Sequence, residues 1–242
     1  MGIKFGFGFT LAEVLITLGI VGIIAAITLP SLITNYKVKL LKTSFKNTDA
    51  IISQALLKMG EESGYDIAGL ALPGRSGNDK INELKGQISN INDIWLKQFT
   101  GLTKITKNDL RRKGIYMCNT FWNNSITSLE VCYGDGNDIY ILPNGASVTK
   151  LSVLNYGVND PALVAFMFDT NGPFKGPNRL GYDIFRYISY EYSTDSLCDL
   201  TTQHSENGKG CYYYAHRGLN PIDSSKSYWD ILYKPKSYWE NK

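Results

Sequence analysis

The chain has little net charge, very little histidine and none of the familiar enzyme fingerprints. Twenty-five basic and 22 acidic residues leave only +3 over 242 positions, too little to argue for nucleic acid or an anionic membrane surface as partner. The two histidines, His204 and His216, are a weak basis for general acid–base work. No nucleophile elbow, phosphate loop or nicotinamide fingerprint occurs, so the sequence offers no catalytic constellation. Cysteine is missing from the first 117 residues; all four, Cys118, Cys132, Cys198 and Cys211, come later. An even count confined to that part points to disulfides in an oxidising compartment.

Charge is scarcest between Phe9 and Leu29, where Glu13 stands alone in an apolar, small-residue run. A membrane span needs about 20 residues, and a helix satisfies its own backbone in lipid. Eight residues, MGIKFGFG, precede the run and Pro30 follows it. That leader lacks the separate apolar region and A-x-A-like site of a secretory signal, so the apolar segment is expected to stay in the mature protein. A buried acid in lipid costs about 2.5–3.5 kcal/mol at the bilayer centre, which makes a lone carboxylate a functional marker. Lys37, Lys39, Lys42 and Lys46 follow the span while Lys4 precedes it. The positive-inside rule alone would therefore leave the C-terminus in the cytoplasm. Long domains translocate largely regardless of charge, and the cysteines argue for export.

Gly8, Phe9, Glu13 and Pro30 together, in G-FTLAEVLITLGIVGIIAAITL-P, resemble the start of the type IV pilins and type II secretion pseudopilins. The match covers roughly residues 8 to 45. The resemblance implies that Gly8 ends a leader cut by a prepilin peptidase and that Phe9 becomes an N-methylated terminus. It implies that Glu13 is the assembly carboxylate, setting the register between subunits by pairing with the amine of Phe9. Gly19, Gly22 and Pro30 would mark a helix region that kinks or loosens in a filament, small residues permitting close packing and proline removing a hydrogen bond. It also implies other pilin or pseudopilin subunits and an inner-membrane assembly platform as partners. The mature chain is long for a major pilin of this family, which favours a minor pilin or a pseudopilin.

Beyond Pro30 the apolar pattern turns periodic. Leu41, Phe45, Thr48, Ile52, Ala55, Leu56 and Met59 recur at three- and four-residue steps, an amphipathic helix with Gly60 as its expected C-cap. The expected organisation is a leader over 1–8, a membrane half over 9–33, an amphipathic half over 34–60 and an exported head over 61–242. Glycines and Pro73 make 60–78 a loop, and Asp79 opens a shorter helix carrying Ile81, Leu84, Ile88, Ile91, Trp95 and Phe99. Arg111-Arg112-Lys113 reads as a solvated turn. From Ile115 the pattern is β: 126–133, 138–142, 146–152, the continuously apolar 162–168, and 182–192. The predicted fold is α+β and pilin-like, a long helix packed on an antiparallel sheet.

Three further features have two readings each. Asp169-Thr170-Asn171-Gly172, then Gly176-Pro177-Asn178 and Gly181-Tyr182-Asp183, resemble a loop recurrent in pseudopilin-like heads. Asx side chains and glycines suit successive tight turns, which favours a structural loop. Asp169, Asn171 and Asp183 are also hard oxygen ligands that suit calcium, although the twelve-residue calcium loop is lacking. Local pairing, Cys118 with Cys132 and Cys198 with Cys211, is favoured among three connectivities. The rival reading gathers Cys198, His204, Cys211 and His216 on zinc, at a spacing no familiar motif uses. Finally, Ser227-Tyr228-Trp229-Asp230 is echoed by Ser237-Tyr238-Trp239-Glu240 near Tyr212-Tyr213-Tyr214. This aromatic group either covers the head or offers a surface to glycans, bases or a partner subunit. The resemblance thus implies a subunit that acts by assembly, requires no cofactor and is held in a bacterial inner membrane with its head outside. An adhesive or DNA-uptake pilin and a membrane-anchored enzyme are the alternatives.

Overall fold

The computed structural model describes residues 10–63, 78–121, 125–136, 138–154, 163–189, 198 and 204–234. The leader with Gly8 and Phe9, the glycine-rich 64–77 and the second aromatic echo at 237–240 lie outside the described residues. The chain divides between Leu40 and Leu41 into two units.

The first unit consists of the N-terminal part of α1 (Leu11–Ser63). Its apolar stretch is long enough to cross a membrane, and no part of it is buried in the protein. Leucines, isoleucines and valines from Leu11 to Ile33 are mostly exposed. Its hydroxyls turn back on the helix: Thr17 Oγ1 donates to the Val14 carbonyl at 3.0 Å, and Thr28 Oγ1 to that of Ile24 at 2.9 Å. A polar side chain in lipid needs such an internal acceptor. The helix runs unbroken through Gly19, Gly22 and Pro30.

The second unit begins where burial begins. Leu41, Phe45, Thr48, Ile52, Ala55 and Met59 form one stripe of α1, at the spacing of a helix laid on a core. Leu56, expected in that stripe, is only half-buried at its flank. The helix does not stop at Gly60 but continues to Ser63, whose hydroxyl donates to the Met59 carbonyl at 2.6 Å. Glutamates at 61 and 62 are good helix formers, and Glu62 accepts a bond from Gln98, so the extra turn is held.

Six antiparallel strands form the main sheet: β1 (Thr103–Thr106), β4 (Asp138–Ile141), β5 (Ser147–Thr149), β6 (Ser152–Leu154), β7 (Leu163–Asp169) and β8 (Ile184–Ile188). Their order is β1-β4-β5-β7, with β6 beside β7 as well and β8 on the opposite edge of β7. β5 and β6 are one strand interrupted at Lys150-Leu151, their registers against β7 offset by a residue. Helix α2 (Asn78–Lys97) heals the break. Asn92 accepts from the Leu151 N–H at 2.7 Å and donates to its carbonyl at 3.2 Å, while the Trp95 indole donates to the Thr149 carbonyl.

Both faces of β7 are covered, as its unbroken apolar run predicts. On one face Phe45 of α1 meets Phe185 at 4.7 Å and Phe168 at 6.3 Å, and Trp95 meets Phe166 at 4.7 Å. On the other, Met167 and Ile184 join Leu110, Leu129, Cys132, Tyr133, Ile139 and Leu180.

Several segments differ from the sequence reading. Residues 126–133 are not one strand: β3 (Ile126–Ser128), paired with β2 (Met117–Asn119), gives way to α4 (Leu129–Tyr133). Ser128 caps that helix by accepting from the Val131 N–H, and Leu129, Cys132 and Tyr133 bury one helical face. Arg111 and Arg112 end α3 (Lys107–Arg112), a helix opened by a Thr106–Asp109 capping box, and Lys113 is its C-cap. Tyr212, Tyr213 and Tyr214 lie on α5 (Cys211–Arg217), and Tyr228–Asp230 forms a 3-10 turn.

Candidate functional site

Two places carry the chemistry singled out above. The first is the start of α1. Glu13 occupies the first turn, and its Oε2 accepts from the N–H and the hydroxyl of Thr10, both at 2.8 Å. The Glu13 N–H returns a bond to Thr10 Oγ1 at 3.2 Å. This is a capping box: two orphan N–H groups are satisfied, and a negative charge sits at the positive end of the helix. Among the described residues, a Cβ built on Gly19 or Gly22 meets nothing within 4 Å, so no contact there demands glycine at either position.

The second place is the loop from Asp169 to Asp183, between β7 and β8. Both aspartates are fully buried. Asp169 Oδ1 accepts from the N–H groups of Asn171 and Gly172 at 3.1 and 2.8 Å, and its Oδ2 from the Tyr133 hydroxyl at 2.9 Å. Asp183 takes the other end, its two oxygens accepting from the N–H groups of Asn178 and Arg179 at 2.8 and 2.7 Å. The carbonyl of Thr170 receives the hydroxyls of Ser44 and Thr48, fixing the loop to α1. Gly172 has φ +83°, and a Cβ there would run into the Gly145 carbonyl, so the turn requires glycine.

Burial pushes the Asp169 carboxyl well above the usual range, and the neighbouring Asp183 adds to the rise. Burial likewise pushes Asp183 up to about 7, against the opposing effect of the N–H bonds it accepts. The Tyr133 hydroxyl is pushed well up by burial and by the charge of Asp169 beside it.

The structure brings Asp169, Asn171 and Asp183 into one loop, in an arrangement that serves the loop backbone. Every carboxylate oxygen already accepts from a loop N–H or from Tyr133. Among the described residues, the buried amide oxygens of Asn171 and Asn178 have no hydrogen-bond donor. They are the hard donors a cation would add to the two carboxylates. Among the described residues, no group of three or more His, Cys, Asp or Glu side chains is placed to hold a metal.

Cys118 is bonded to Cys132 and Cys198 to Cys211. The first pair joins β2 to α4, since Cys132 stands on a helix and not on a neighbouring strand. The zinc reading of Cys198, His204, Cys211 and His216 fails because both thiols are consumed in a disulfide and His216 lies 2.8 Å from Asp49 on α1. The aromatic-surface reading is narrowed. Tyr228 and Trp229 are buried, and Tyr212 packs against Phe45 and Phe168. Sequence reasoning missed Tyr133, whose hydroxyl is the side-chain partner of Asp169; it stood in a run read as strand. Comparison with family models, curated proteins and solved structures gives no match for this chain.

Proposed function

We propose that the chain is a pilin-like structural subunit, a minor pilin or type II secretion pseudopilin, that works by assembly into a filament. The observation that carries this reading is Glu13: the only charged residue between Lys4 and Lys37, on a helix long and apolar enough to span a membrane. A carboxylate retained in such a segment marks function. Processing by a prepilin peptidase after Gly8 frees the amine of Phe9. The helix then leaves the bilayer sideways into a bundle, trading lipid contacts for those of neighbouring helices, and Glu13 pairs with a Phe9 amine to fix the axial register. Gly19 and Gly22, which none of the described residues crowds, suit close approach of a second helix. In this reading the α+β part is the exported head, braced by two disulfides suited to an oxidising compartment. The inner-membrane platform and other subunits are its partners, and the 169–183 loop is a structural element of the head. Incorporation of Glu13→Ala into sheared filaments is the test. The reading expects a processed protein that remains in the membrane; normal incorporation refutes it.

A further inference from the structure

A cavity of about 430 Å³ lies on the face of the main sheet that Met167 shares with Ile184, the face turned away from Phe45 of α1. Leu151, Ala165 and Met167 give it apolar walls. One residue on that face breaks the apolar pattern. Arg186 of β8 pairs with Met167 of β7 and stands between Ile184 and Ile188, so strand alternation turns it to the same side. It is buried and lines the cavity. A buried charge needs acceptors, and a guanidinium offers five N–H donors in a fork that matches a planar carboxylate, more than one neighbour uses. Lys209 lines the same cavity with its side chain only 12% exposed, and pairs with Glu206 at 2.7 Å. Burial raises the Glu206 carboxyl, but Lys209 and then Arg186 outweigh it and hold the group below its ordinary range. Both cations therefore act on the same small region. The more exposed part of the lining has mostly the opposite sign. Glu130 and Asp138 stand there with Lys150, beside the fully exposed Asp135.

We propose that this cavity binds a small apolar monocarboxylate, its carboxylate on the Arg186 guanidinium and the Lys209 ammonium and its apolar body against Leu151, Ala165 and Met167. The site stands apart from the assembly reading and needs no second subunit. Its volume falls within the range of small-molecule pockets, and its make-up is theirs: apolar walls with a few charged groups that fix orientation. The charge pattern sets the class. Two cations at the buried end select for a negative group over a neutral one. The acids of the exposed part repel a second negative charge, so a dicarboxylate of the same length is disfavoured.

Met167 supplies a reporter inside the cavity. The full chain, in detergent micelles and with isotope-labelled methionine methyl groups, is titrated with N-acetyl-leucine, N-acetyl-leucine amide and N-acetyl-glutamate, and the Met167 methyl resonance is followed by NMR. N-acetyl-leucine is expected to shift that resonance saturably at millimolar concentration. The amide and the dicarboxylate should each bind about tenfold more weakly, the worth of a charge-assisted hydrogen bond. Arg186→Gln should abolish the preference for acid over amide, and Lys209→Gln should reduce it. Gly136 also lines the cavity, and among the described residues a Cβ there meets nothing within 4 Å. Gly136→Phe can therefore fill the space without displacing the core, and should remove binding while the melting temperature is kept. Should Arg186→Gln fail to fold, Lys209→Gln and Gly136→Phe decide. The proposal is overturned if N-acetyl-leucine gives no saturable Met167 shift, if acid and amide bind equally, or if Gly136→Phe binds like the parent.

Discussion

Raising the pH from 5 to 8 should loosen the α+β unit, and the cause is the Asp169–Asp183 pair. An unfolded aspartate loses its proton near pH 4. Buried Asp183 holds its own until about 7. Between those values the native state binds more protons than the unfolded one, so stability falls as pH rises and levels off above the folded value. The loss from pH 5 to 8 is about 3 kcal/mol, which for a unit of this size lowers Tm by ~6–12 °C. Asp169, pushed in the same direction, can only steepen the fall. The assay is thermal unfolding of the full chain in detergent micelles with chelator present, followed by near-ultraviolet circular dichroism. Asp183→Asn should be less stable at pH 5 yet show a flatter profile, because the titrating group is gone. Calcium bound by the two carboxylates would hold both ionised, so excess calcium would cancel the fall and raise Tm at pH 8. A parent profile that is flat or rises from pH 5 to 8 in chelator refutes the reasoning about the pair. No calcium effect on Tm or in calorimetry leaves the loop structural.

Asn92→Ala should cost about 2–4 kcal/mol, because it strands both the N–H and the carbonyl of Leu151 where the β5–β6 strand breaks. Urea unfolding measures this directly, and a change below 1 kcal/mol would contradict the role given to α2. Phe45→Ala should cost about 3–5 kcal/mol, since the ring meets Phe168, Phe185, Tyr212 and Trp229 at once. The same unfolding curve gives the value. Replacing Cys198 and Cys211 together by alanine should remove about 3 kcal/mol, the closure entropy of a loop of 13 residues. Unchanged stability would mean that the unfolded chain is already constrained there.

The parts of the fold that could be read in the sequence are those governed by long, regular patterns. The stripe Leu41, Phe45, Thr48, Ile52, Ala55 and Met59 is visible because a helix on a core repeats every three or four residues. The β7 run is visible because a strand buried on both faces needs no alternation. Short elements were not legible. Leu129–Tyr133 consists of residues that also suit a strand, and only the cap from Ser128 and the burial of three of its side chains make it a helix. β1 is four residues with a lysine in the middle, and it is a strand because Thr103–Thr106 pairs with β4. Asp169 and Asp183 could be picked out as chemically unusual, yet what they hold depends on Tyr133, 36 residues away from Asp169. Such pairings are set by tertiary contact, and no local pattern encodes them. For Tyr228 and Trp229 the aromatic repeat left open whether they cover the fold or face outward; here they close the core beside Phe45 and Phe121.

The most direct test of the assembly reading is what becomes of the first eight residues. Intact-mass and N-terminal peptide analysis of the native protein, from cells with a working prepilin peptidase, should find a chain that starts at Phe9 and carries one added methyl group. A polypeptide that retains Met1 through Gly8 in those cells would contradict it.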